Sequence, residues 1–172
     1  MRAPQLPFEK ESFKNEQQLV NFAHNFAGKL HGFDGPLIIW LEGELGTGKT
    51  TFARSLIRAL GYKGRVKSPT YGLLEHYQAD PINADPGNAD PINIVHMDLY
   101  RISEPEELEF LGLTDLLDEQ TILLVEWPYK GGRWLPEPDF LFEFAYANPG
   151  RDLSWKACTD RAQRSRTSLT TT

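Results

Sequence analysis

Lys49 and Thr50 close the octapeptide Gly43-Glu-Leu-Gly-Thr-Gly-Lys-Thr50, which has the G-x-x-x-x-G-K-[ST] spacing of a phosphate-binding loop. Such residues grip a polyphosphate and its divalent cation. Gly43, Gly46 and Gly48 permit left-handed turns and close backbone approach, so successive N–H groups can face one anion. A helix N-terminus at the same spot adds partial positive charge. Lys49 is expected to bridge the β- and γ-phosphates, and the Thr50 hydroxyl to ligate Mg²⁺. Glu44, Gly46, Thr47, Gly48 and Thr51 complete the candidate nucleotide contacts.

Two acids lie at the ends of apolar runs: Asp98 after Ile94-Val-His-Met, and Glu126 after Thr121-Ile-Leu-Leu-Val. In doubly wound sheets ligands sit outside the carboxyl ends of strands. Asp98 and Glu126 are therefore candidates to share the metal shell, directly or through water, and Glu126 could instead polarise the attacking water. Ser68-Pro69-Thr70 offers two hydroxyls on a stiffened loop. Thr70 is a candidate γ-phosphate sensor, although the same residues also suit an ordinary turn.

The elements that must position these groups are legible from periodicity. Pro36 to Glu42 reads as a buried parallel strand, and Lys49 to Leu60 as a helix stopped by Gly61. This strand–loop–helix order is the context the motif requires. Asn15 to Leu30 carries apolar residues at three- and four-residue steps and predicts an amphipathic helix stopped at Gly32. Gly72 to Tyr77 predicts a strand, and Ser103 to about Asp118 a capped helix. Phe140 to Ala147 and Arg151 to Ala157 flank Asn-Pro-Gly, predicting a terminal antiparallel hairpin. The fold class expected is α/β: a single phosphate-loop domain over residues 1–158, with a mostly parallel sheet flanked by helices.

Residues 79–93 repeat Ala-Asp-Pro-x-Asn three times and predict an exposed loop. The segment 159–172, rich in Arg, Ser and Thr, predicts a disordered tail.

The chain has 172 residues, 40% of them hydrophobic, enough for one domain with a real core. It contains no run of about 18 apolar residues, and its N-terminus lacks a signal-peptide core. The lone Cys158 cannot form an internal disulfide. These features point to a cytoplasmic protein without a membrane span. Asp and Glu number 24 against 18 Lys and Arg, which argues against autonomous nucleic-acid binding.

Lys67-Ser-Pro-Thr-Tyr71, His96-Met-Asp-Leu-Tyr-Arg101, Pro105-Glu-Glu-Leu-Glu109 and Val125-Glu-Trp-Pro128 follow the phosphate loop in order. Over roughly residues 15–155 this set closely resembles the TsaE (YjeE) family. The resemblance implies the ATPase subunit of the bacterial machinery that makes threonylcarbamoyladenosine at position 37 of tRNA. It implies ATP and Mg²⁺ as cofactors and slow hydrolysis by the isolated chain. The partners it implies are TsaD and TsaB homologues, with tRNA reached only through the complex. It further implies that Lys49 and Thr50 hold phosphate and metal, that Asp98 and Glu126 belong to the metal and water site, and that Ser68-Pro69-Thr70 is a switch loop. Arg151 and Glu16 match an arginine and an acid that the family places near the nucleotide. Leu19 stands where the family often has Thr.

The residues themselves leave other readings open. The chain shows no obvious Gln to orient water after Asp98 and no Asn-Lys-x-Asp for guanine, so an isolated site should be slow. A small-molecule kinase is an alternative, as is a non-catalytic nucleotide-binding module.

Overall fold

The computed structural model describes residues 7–30, 33, 35–80 and 90–167. Most of the repeat insertion, Gly32 and residues 168–172 lie outside them. Seven strands form one sheet: β1 (Glu9–Phe13), β2 (Leu37–Gly43), β3 (Leu74–Ala79), β4 (Ile92–Asp98), β5 (Thr121–Glu126), β6 (Phe140–Tyr146) and β7 (Arg151–Ala157). Their spatial order is β1-β7-β6-β2-β5-β4-β3.

The four central strands, β6, β2, β5 and β4, are mutually parallel. β3 pairs antiparallel with β4, and β7 with both β6 and β1. The sheet is therefore mixed, not mostly parallel as the apolar runs suggested. Connection length accounts for one of these antiparallel pairs, β6 with β7. A parallel partner needs a crossover of a dozen residues or more, whereas antiparallel neighbours can be joined by a short turn. Residues 147–150 allow only the expected β6–β7 hairpin.

Two helices cover one face. α1 (Glu16–Ala27) is capped by Asn15, whose side chain accepts from the Gln18 N–H at 3.1 Å. It ends at Gly28, short of the predicted stop. α2 (Lys49–Ala59) begins inside the glycine loop. Their apolar stripes, including Leu19, Phe26, Phe52 and Leu56, meet Ile39, Leu124 and Phe142 from the sheet. Aromatic rings interlock there: Phe26 stands edge-on to Phe140 at 5.2 Å and to Phe142 at 5.0 Å.

The opposite face has a thinner cover. The helix expected from Ser103 to Asp118 is instead a 3₁₀ segment, Pro105–Leu111, and a single turn, α3 (Leu113–Leu116). Gly112 between them takes φ 60° and breaks the path. The segment's cap is Glu104 with Glu107. Leu108, Leu113 and Leu135 pack here on Val95, Met97, Leu123 and Val125.

The segment expected to be disordered from Thr159 forms α4 (Asp160–Thr167) over the described residues. Asp139, only 1% exposed, is the reason. It accepts from Arg161 Nε at 2.8 Å, from Thr159 Oγ1 at 2.7 Å and from the Ile38 N–H at 3.0 Å. A buried carboxylate so satisfied ties the helix to the start of β6.

Candidate functional site

Strand alternation decides which side chains reach α2. Ile94, Ile122 and Leu124 belong to the helix-covered core. By the two-residue period, His96 and Asp98 on β4 and Glu126 on β5 face the same way. The parallel register sets Asp98 opposite Glu126, and Glu126 opposite Leu41 of β2. Two residues beyond Leu41, Gly43 opens the loop that delivers the N-terminus of α2 above both acids.

The loop needs its glycines. Gly43 takes φ 141° and Gly48 φ 112°. A Cβ at Gly43 would collide with the Phe144 carbonyl, and one at Gly48 with the Arg151 guanidinium. Arg151, at the start of β7, thus lies against the loop. Thr47, 1% exposed, tightens it by donating to the Glu44 carbonyl at 2.7 Å.

Lys49 is 4% exposed. Its Nζ donates to the carbonyls of Gly43 at 2.6 Å and Glu44 at 2.7 Å, and lies 4.2 Å from the Trp127 ring centroid. Burial pushes its pKa below the ordinary lysine value, while Glu126, Asp98 and Glu44 pull it back up.

The two carboxylates have separate partners. Thr50 Oγ1 donates to Glu126 Oε2 at 2.8 Å, and His96 Nε2 lies 2.8 Å from Glu126 Oε1. His96 is fully buried and its Nδ1 has no hydrogen-bond partner among the described residues. A proton on Nε2 donates to the carboxylate; the other tautomer would bury an unpaired N–H and set a lone pair against Glu126. Asp98 instead accepts from Thr70 Oγ1 at 2.8 Å and from the Tyr100 N–H at 3.0 Å. Ser68 Oγ lies 2.7 Å from Thr70 Oγ1.

These groups open on one cleft of about 440 Å³. Gly46, Gly48, Lys49, Thr50 and Thr51 form one wall, and Thr70, Asp98 and Glu126 another. Glu16 and Arg151 also line it. Two proposed contacts are not in its walls: the Glu44 side chain is exposed and Thr47 is buried within the loop. Four cleft residues escaped the sequence reading as site residues, namely Leu45, Tyr100, Arg101 and Trp127. His96 escaped it too, because a histidine on an apolar strand reads as core. Its parity with Asp98 was the available signal.

The donor set suits Mg²⁺. Hydroxyl and carboxylate oxygens face the cleft, the hard donors this ion takes, while the imidazole stays behind Glu126. Among the described residues no group of three His, Cys, Asp or Glu could cage a metal. A site that completes its shell with substrate phosphates needs only one or two carboxylates.

Fold and site together define an α/β domain whose glycine loop joins a parallel strand to a helix above two strand-end acids. The model for the family described as threonylcarbamoyl adenosine biosynthesis protein TsaE matches residues 13–153. The chain belongs to the TsaE family. It is 38% identical over 149 residues to the tRNA threonylcarbamoyladenosine biosynthesis protein TsaE of Haemophilus influenzae, covering 85% of this chain and 87% of that one. It is 35% identical to the protein of the same description from Borreliella burgdorferi, covering 78% and 88%. The crystal structure of Bacillus subtilis YdiB matches the fold with a TM-score of 0.71 at 21% identity, covering 97% of each chain. Among the described residues no helix is long and apolar enough to cross a membrane.

Proposed function

We propose that this chain is an Mg²⁺-dependent, slowly hydrolysing ATPase subunit required for threonylcarbamoylation of adenosine 37 in tRNA. On this reading it is a nucleotide-driven partner of TsaB and TsaD homologues. The observation that carries the reading is the Thr50–Glu126 hydrogen bond directly beneath the glycine loop. A hydroxyl that donates to Glu126 presents its lone pairs to a cation in the cleft. Mg²⁺ bound there would neutralise charge on the β- and γ-phosphates. Lys49 would exchange its two loop carbonyls for phosphate oxygens. Glu126 orients Thr50, and His96 holds Glu126. Asp98 ties Thr70 and Ser68 to the same cleft, so a γ-phosphate that competes for the Thr70 hydroxyl shifts the switch loop. Glu16, Thr51 and Arg151, which line the same cleft, would help to hold the nucleotide.

Slow turnover fits a cleft in which, among the described residues, only the two strand-end acids stand near an attacking water and both are already hydrogen-bonded to hydroxyls. A docking partner that orders the rim would raise it.

The test is ATP incubated with the chain alone and with TsaB and TsaD homologues. Phosphate release that rises with the partners is the expected result. Transfer of phosphate to a metabolite would make the chain a kinase, and ATP binding without turnover in any mixture would end the ATPase reading. Lys49→Ala should abolish productive ATP binding in calorimetry with Mg²⁺.

A further inference from the structure

A second cleft, about 370 Å³, lies on the other side of Thr51 and Glu16 from the nucleotide cleft. Its walls carry Arg54, Arg58, Arg65 and His24. The whole-chain charge is −6, yet residues 45–74 contain Lys49, Arg54, Arg58, Lys63, Arg65 and Lys67 and no Asp or Glu. Arg54 and Arg58 stand one turn apart on the exposed face of α2. Like charges at that spacing oppose a helix. Arg65 joins them from the segment after the helix. All three arginines are exposed and none forms an ion pair among the described residues. Glu16, shared with the nucleotide cleft, is the one acid in the walls.

We infer that this cleft docks the phosphodiester backbone of RNA. Three guanidinium groups around one concavity fit consecutive phosphates, each able to take two oxygens in a bidentate pair. The whole-chain acidity that argues against autonomous RNA binding averages over this surface and hides it. Three phosphate contacts make an accessory site, weak and salt-sensitive alone, that adds to an RNA held chiefly by partner proteins. An acidic protein surface is the competing occupant. Arginine forks in a concave site favour phosphate, and the relatives are described as tRNA threonylcarbamoyladenosine biosynthesis proteins. The inference does not depend on ATP hydrolysis.

The test uses the full chain and a fluorescein-labelled, unmodified tRNA transcript, followed by anisotropy from 25 to 200 mM salt, roughly the range where such contacts fade. The wild type should bind with a slope of log affinity on log salt near ~−3, about one unit for each phosphate neutralised. The triple variant Arg54→Gln/Arg58→Gln/Arg65→Gln should lose about tenfold or more in affinity at 50 mM salt and flatten the slope by ~3. Its circular dichroism and its calorimetric ATP binding should stay as in the wild type, which separates docking from folding. Equal RNA affinity in the two proteins overturns the inference. Polyglutamate bound as tightly as tRNA, and released by the same substitutions, assigns the cleft to an acidic protein instead. Loss of ATP binding in a folded triple variant assigns it to the nucleoside.

Discussion

The two faces of the sheet are built differently. The face under α1 and α2 is an interlocked aromatic core, with Phe26, Phe52, Phe142 and Trp155 almost fully withdrawn from water. The other face is covered by a 3₁₀ segment, one helical turn and two shorter 3₁₀ turns, and it leaves Phe110 87% exposed. Backbone strain follows the same division. The non-glycine residues with left-handed φ among the described ones are Leu73 at 66° and Trp127 at 59°. Leu73 packs against the thinly covered core and directly precedes β3, and Trp127 directly follows Glu126. Such conformations persist where surrounding structure over-determines them, and they collect at sites that change state. One face therefore carries the phosphate loop on a close-packed core, while the other is thinly covered and packs the strained Leu73 and Trp127.

The largest expected effect tests the rigid side. Phe26→Ala should cost about 3–5 kcal/mol, because it deletes a ring from a dense core. Urea denaturation measures it. Phe110→Ser on the other face should fall within about 0.5 kcal/mol of the wild type. Equal losses in the two variants would dissolve the contrast between the faces.

The next effect lies in the site. Glu126→Ala should lower partner-stimulated turnover by about a hundredfold, with a smaller change in ATP affinity, since positioned groups of this kind typically contribute that much. Comparable rates in wild type and variant would remove Glu126 from the mechanism. His96→Leu should act through Glu126, cutting turnover by about tenfold and raising the Mg²⁺ needed for half-maximal nucleotide binding, in the range seen for groups that orient metal ligands. His96→Gln, which can still donate to the carboxylate, should recover most of both. A Leu variant with an unchanged Mg²⁺ requirement would reduce His96 to packing.

How much of this was legible follows from the range of the interactions. β2, the glycine loop and α2 are contiguous, so their order announces itself in twenty-odd residues. Asp98 and Glu126 were legible because an acid ending an apolar run is anomalous. The mixed sheet was not, since a strand's own pattern does not name its neighbour or its direction. α4 was hidden for a related reason: Ser, Thr and Arg predict disorder locally, and the buried Asp139 that captures Arg161 lies 22 residues away. The break at Gly112 could have been read, because a glycine inside a helical pattern is a warning that the capped start at Ser103 outweighed.

The smallest effect belongs to the thinly covered face. Leu41 and Phe142 are opposite one another on β2 and β6 and fully buried beneath the helices. One residue on, the chain turns Glu42 and Glu143 to the other face, again opposite one another. Burial, and after it the Glu143 charge, raises the Glu42 pKa, with Lys156 opposing. A carboxyl whose folded pKa is raised costs stability when it is ionised, and that cost fades as pH falls through the folded pKa towards the unfolded value. Glu143→Gln removes the repulsion and should stabilise the protein by about 0.2–1 kcal/mol at pH 7, the scale of facing like charges on neighbouring strands. Below the ordinary glutamate value of 4.5, Glu42 is protonated in both states and the gain should vanish. Urea midpoints at the two pH values decide it. A gain that persists at low pH would point to packing, and no gain at neutral pH would mean that this face leaves the two carboxylates fully hydrated.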